Sequence, residues 1–253
     1  MKKYLKQEGE YHYIETTPGK EVILLLHGLF GALSNFEDII NDFKDDYNVV
    51  VPILPIMEMP MKKLGLSGLV AYIERFVEFK SIDEVNVLGN SLGGHLAQLY
   101  ALSNPEKVKS IILTGSSGLF ENAMGNTFPK RGDYEFIKKK TESVFYDPKT
   151  ATKELVDEVF DTVNDRMKAL RVVITAKSAV RNNLEDKIKK IAAPTLLIWG
   201  REDDITPAFV AEKFHELIPN TRLEFIEKCG HAPMMERPKE FNSILKEFLE
   251  NQN

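Results

Sequence analysis

The chain has 253 residues, enough for one large domain or one domain carrying a sizeable insertion, and few for two independent ones. Lysine and arginine total 33 against 38 aspartates and glutamates, a net charge of −5, and both signs are scattered, so nothing marks a nucleic-acid partner. The one cysteine, Cys229, excludes an internal disulfide and fits a reducing compartment, and with no apolar run long enough for a bilayer span or a signal peptide, a soluble cytoplasmic protein is expected.

In chain order, YHYIET reads as one strand of an antiparallel edge hairpin. Short apolar runs follow: VILLL (22–26), NVVVPI (48–53), VNVLG (85–89), SIILTG (110–115), TLLIWG (195–200) and LEFI (223–226). Runs apolar on both faces are expected of buried parallel strands. Several of the segments between them have helical periodicity. After Pro238, the residues Phe241, Ile244, Leu245, Phe248 and Leu249 keep the spacing of a helix packed on a core. The pattern predicts an α/β fold with a doubly wound, mostly parallel sheet. Between Gly118 and Asp186 the rhythm breaks into charged helical stretches, DYEFIKKKTESVF and KELVDEVFDTVNDRMKALRVVITAKSAV. These predict a helical lid over 118–186, carried on a core formed by 1–117 and 187–253.

The stretch VLGNSLGGH, with a strand before it and a helix after it, sets Ser91 between Gly89 and Gly93. This G-x-S-x-G pattern holds a serine on a sharp strand-to-helix turn, where a side chain on either flank would strike the backbone. The hydroxyl is then exposed at the carboxyl end of the sheet, beside a helix N-terminus that favours negative charge. A glycine-rich connection with an incidental serine is the bland alternative.

A serine hydroxyl is a weak nucleophile until a base takes its proton, and the base needs an acid to orient it. Of the five histidines, His231 in CGHAPMMERP lies on a loop after the last strand, at the edge where a base must stand. The acid should come from the end of another strand, and WGREDDITP offers Asp203 and Asp204. One backbone donor for an oxyanion should be the N–H of Leu92, and a second should come from the loop HGLFGALSNF after VILLL.

With these pieces in the order Ser91, Asp203, His231, the chain resembles the α/β-hydrolase superfamily, in the lid-bearing branch that includes carboxylesterases, meta-cleavage-product C–C hydrolases and acyltransferase-like members. The resemblance covers nearly the whole chain outside the lid. It implies that the acid sits three residues after Gly200, which favours Asp203 over Asp204. It further implies that Leu29, ahead of Phe30, is the second oxyanion donor and that His27 braces its loop. The segment PILPIMEMPMKKLGLSG departs from the family pattern, and it reads either as an apolar wall or as an altered loop. In the lid, Phe120, Met124, Phe128, Phe136, Phe145, Phe160 and Met167 could line an acyl pocket or form the lid's own core.

The expectation is a serine hydrolase acting on an ester-like bond of a small, largely apolar molecule, with no metal or organic cofactor and no membrane or nucleic-acid partner. A C–C bond hydrolase using the same residues, an acyltransferase and a slow-turnover ligand sensor stand as alternatives. Oligomeric state is not legible.

Overall fold

Six apolar runs and a hairpin account for the sheet of the computed structural model, which describes residues 4–31, 36–120 and 131–252. The strands are β1 (Leu5–Glu8), β2 (Tyr11–Glu15), β3 (Val22–Leu26), β4 (Asn48–Pro52), β5 (Val85–Asn90), β6 (Val108–Thr114), β7 (Thr195–Gly200) and β8 (Thr221–Ile226). They lie in the order β1-β2-β4-β3-β5-β6-β7-β8. The hairpin β1–β2 and its junction with β4 are antiparallel, and every later pairing is parallel. Strands β3, β4, β5 and β7 are buried at every position, as expected of strands covered on both faces. LEFI differs: it belongs to the last strand of the sheet, extends back to Thr221 and is only half-buried. Arg222 there pairs with Glu224 and Glu247, so charge occupies the open side of the edge.

Helices cover both faces. On one, α2 (Leu66–Phe79), α3 (Leu92–Ser103) and α7 (Ala208–Leu217) supply Leu69, Leu96 and Phe214 to an apolar layer that includes Leu24, Val87 and Trp199. On the other, α1 (Glu37–Phe43) and α9 (Pro238–Glu250) bury Ile39, Ile40, Phe241 and Leu245 against Ile23, Leu88 and Ile198. A four-residue helix, α8 (Pro233–Glu236), precedes α9. Among the described residues, no helix is long and apolar enough to cross a membrane.

Between β6 and β7 lie α4 (Tyr134–Glu142), α5 (Lys153–Asn164) and α6 (Arg166–Arg181). The helical stretch from Lys153 onward divides at Asp165, whose carboxylate accepts the N–H groups of Met167 and Lys168 and so starts α6. Helix α6 is fastened to the chain after β4. The Arg171 guanidinium donates to the carbonyls of Ile56 (3.3 Å) and Met59 (2.6 Å), and Ser178 Oγ accepts the Leu66 N–H at 3.0 Å. Leu54, Ile56, Met59 and Leu64 are buried in the core, so this departing segment packs beneath α6 and lines no part of the cavity described below.

Strand β3 sits between β4 and β5, so the chain leaves β3 toward one side and returns on the other. The crevice at such a switch point, outside the carboxyl ends of the strands, is where open α/β sheets bind ligands. Both glycine-bearing loops, 27–31 and 89–94, open there.

Candidate active site

Ser91 stands between β5 and α3 with φ +55° and ψ −119°, a strained backbone for a residue with a side chain. The flanking glycines are required by close approach: a Cβ on Gly93 would lie 1.9 Å from the Leu26 carbonyl oxygen, and one on Gly89 2.3 Å from that of Gly93. The Ser91 N–H donates to the Thr114 carbonyl, and the Ser91 carbonyl accepts from the N–H groups of His95 and Ser117. Leu92 opens α3, where main-chain N–H groups have no intrahelical acceptor.

The loop after β3 presses against this turn, with a Cβ on Gly28 only 3.3 Å from that of Ser91. Gly31 N–H closes the loop on the Gly28 carbonyl at 3.1 Å, carrying Leu29 and Phe30 along the cavity beside Ser91. His27 braces it. Its Nε2 accepts the Leu54 N–H at 3.1 Å, which leaves the proton on Nδ1 to be donated to the Gly28 carbonyl at 2.8 Å. Both ring nitrogens are therefore committed to structure.

Asp203, not Asp204, faces the histidine. His231 Nδ1 lies 2.9 Å from Asp203 Oδ2, and because a carboxylate only accepts, the ring carries its proton on Nδ1. That leaves Nε2 to serve as acceptor. Asp203 Oδ1 takes the N–H groups of Ile205 (2.8 Å) and Thr206 (2.9 Å), and Oδ2 also takes the Thr206 hydroxyl at 2.8 Å. Four donors thus fix a buried carboxylate, while Asp204 is exposed. Asn90, buried beside Ser91, donates from Nδ2 to the carbonyls of Thr114 (3.1 Å) and His231 (3.2 Å), joining β5, β6 and the histidine loop.

Ser91 and His231 open onto one cavity of about 550 Å³, a size typical of small-molecule sites. Its far wall comes from α4, α5 and α6: Phe136, Ile137, Val159, Val163 and Val172, with Phe145 from the turn after α4. Of the lid residues singled out by sequence, Phe136 and Phe145 line the cavity. Phe160 packs edge-on against Tyr134, Phe120 against Phe209, and Met167 is exposed. Met124 and Phe128 lie outside the described residues. The missed lining residues include Val159, Val163, Val172 and Val173, small apolar positions in helices rich in charge, and that was their only signal. Among the described residues, no cluster of three or more His, Cys, Asp or Glu could hold a metal ion.

His95 lies one turn beyond Ser91, fully buried, with Nδ1 3.3 Å from Ser117 Oγ. Burial lowers the pKa of His27 and pushes that of His95 down from its ordinary 6.5 to about 4. Both rings fold neutral, so nothing is lost above about pH 6.5. Below it the unfolded chain takes up protons that the folded chain refuses. The urea midpoint is therefore expected to fall as pH drops from about 6.5 toward 4, with His95→Gln flattening the slope; a midpoint level across that window contradicts this account.

A family model described as the alpha/beta hydrolase fold matches residues 21–238. A 2-hydroxy-6-oxononadienedioate/2-hydroxy-6-oxononatrienedioate hydrolase of Cupriavidus pinatubonensis is 27% identical, over 96% of this chain and 92% of its own. Among solved structures, an alpha/beta hydrolase enzyme from the metagenome of sediments of the lagoon of Mar Chica, Morocco, is 40% identical, with a TM-score of 0.81 and 98% of each chain covered. A 2-hydroxy-6-oxo-6-phenylhexa-2,4-dienoate hydrolase from Rhodococcus sp. strain RHA1 shares the fold at 22% identity, with a TM-score of 0.82 and 98% of each chain covered.

Proposed function

The chain belongs to the α/β-hydrolase fold family, and on that premise we propose that it is a serine hydrolase cleaving an ester-like bond of a small, largely apolar substrate through a covalent acyl-enzyme. His231 Nε2 takes the Ser91 proton as the hydroxyl oxygen attacks the carbonyl carbon. The N–H groups of Leu92 and Leu29 hold the oxyanion, and the leaving alcohol departs with the proton from His231. Water then attacks the acyl-enzyme with His231 again as base, releasing the acid and restoring Ser91. Asp203 orients the ring and steadies the imidazolium. Helices α4 to α6 act as the lid that closes the acyl pocket.

The observation that carries the ester reading is the lining. Among the described residues, the charged side chains at the cavity are Arg131, Lys140 and Asp204, all exposed. An anionic group driven into the interior would find no buried cation, which is costly, whereas an acyl chain finds apolar contacts.

A second reading, C–C bond hydrolysis with the same residues, is favoured by the name carried by the Cupriavidus relative. That substrate is a dioate, and its two carboxylates fit the lining poorly.

Initial rates on p-nitrophenyl esters from acetate to decanoate test the proposal, beside bleaching of a 2-hydroxy-6-oxo-dienedioate. A rate that peaks at one chain length supports the ester reading. Fast bleaching with negligible ester turnover replaces it with the second.

A further inference from the structure

Glu236 is a buried acid that the chemistry above does not use. It ends α8, five residues after His231, and its two carboxylate oxygens face two different parts of the chain. Oε1 accepts the N–H of Gly230 at 2.7 Å, directly before His231. Oε2 accepts the N–H groups of Tyr146 (2.8 Å) and Asp147 (3.1 Å), in the turn after α4. A third strap runs alongside, because the His231 N–H donates to the Val144 carbonyl at 3.0 Å. The seam is closed: a Cβ on Gly230 would lie 2.7 Å from the Val144 oxygen and 2.9 Å from the Tyr146 nitrogen.

The same turn belongs to the cavity wall, since Ile137, Thr141, Val144 and Phe145 line it. Any displacement of that wall pulls on the residues that hold the histidine. All three bonds to Glu236 come from N–H donors, and only an ionised carboxylate accepts on both oxygens at once. A glutamine would turn its NH2 toward one set of donors and release that side. Burial raises the Glu236 carboxyl above the usual carboxylate range, and the N–H groups of Asp147, Gly230 and Tyr146 pull it back.

We propose that Glu236 is a positioning residue that clamps the turn 144–147 to the His231 loop, so that the base is seated against Ser91 only while the α4 wall is docked. This rests on Ser91 and His231 as nucleophile and base, and on nothing about the substrate. The clamp gives the wall a way to act on chemistry without touching the reacting atoms.

The test pairs two measurements on the whole protein, wild type against Glu236→Gln. The first is the rate at which a fluorophosphonate probe labels Ser91, which needs a working base but no particular substrate. The second is amide hydrogen exchange at 144–147 and 230–231. The expected result is labelling slower by about tenfold or more, as a base displaced by a fraction of an ångström implies, with exchange faster in both segments and a melting temperature close to wild type. Labelling at the wild-type rate, or faster exchange in neither segment, overturns the clamp. A wild type that fails to label overturns the nucleophile reading and the positioning role with it, a failure the exchange data tell apart from loss of the clamp. Should Glu236→Gln not fold, Glu236→Asp, which keeps the charge but shortens the reach, is judged by the same two criteria.

Discussion

Replacing Ser91 by alanine is expected to lower kcat on the preferred nitrophenyl ester by about 10,000-fold or more, because it removes the oxygen that forms the acyl-enzyme. Cys229 cannot substitute. It is buried within the histidine loop, burial pushes its thiol well up, and it does not line the cavity. The variant should also show that the elbow is under strain. Alanine keeps the Cβ at φ +55°, whereas Ser91→Gly removes it from a conformation that costs about 1–3 kcal/mol for a residue with a side chain. The glycine variant is therefore expected to melt above the alanine variant while both are inactive. Wild-type-like turnover by Ser91→Ala ends the covalent mechanism, and equal melting temperatures end the strain argument.

Asp203→Asn is expected to cost about 1,000- to 10,000-fold in kcat while the protein folds as before. An asparagine oxygen can still take the Ile205 and Thr206 N–H groups, so the loop keeps its shape. Its NH2 then points at His231 Nδ1 and turns that nitrogen into an acceptor. The ring proton moves to Nε2, the nitrogen that must receive the serine proton. Asp204→Asn, one residue along, should lose no more than about tenfold, because the exposed Asp204 bonds to neither His231 nor the Asp203 loop. Comparable losses in the two variants would reassign the acid.

The sheet was legible because its interior strands are unbroken apolar runs, a consequence of helices on both faces. Ser91 was legible because a tight turn admits only glycine at its flanks, which leaves a mark in the letters. Asp203 and Asp204 are adjacent and chemically identical, so spacing within a resembling family favoured one without a physical reason. That reason lies in the turn, where the Ile205 and Thr206 amides and the Thr206 hydroxyl converge on one carboxylate. Glu236 was not legible. An acid inside MMERP looks like a solvated charge, and only the fold brings the amides of residues 146 and 147 to it from 90 positions away.

The bonds from Arg171 and Ser178 to the segment after β4 bear on how such a molecule can diversify. The three helices between β6 and β7 look like a cassette that recombination could exchange between relatives. Yet α6 is written partly against residues 56–66, more than a hundred positions upstream. A transplanted cassette that leaves this segment behind arrives with the half-buried Arg171 guanidinium and the Ser178 hydroxyl both stripped of their partners. The heritable unit of specificity is thus discontinuous, and chimaeras that carry 53–66 together with the helices should yield soluble protein where helix-only swaps do not.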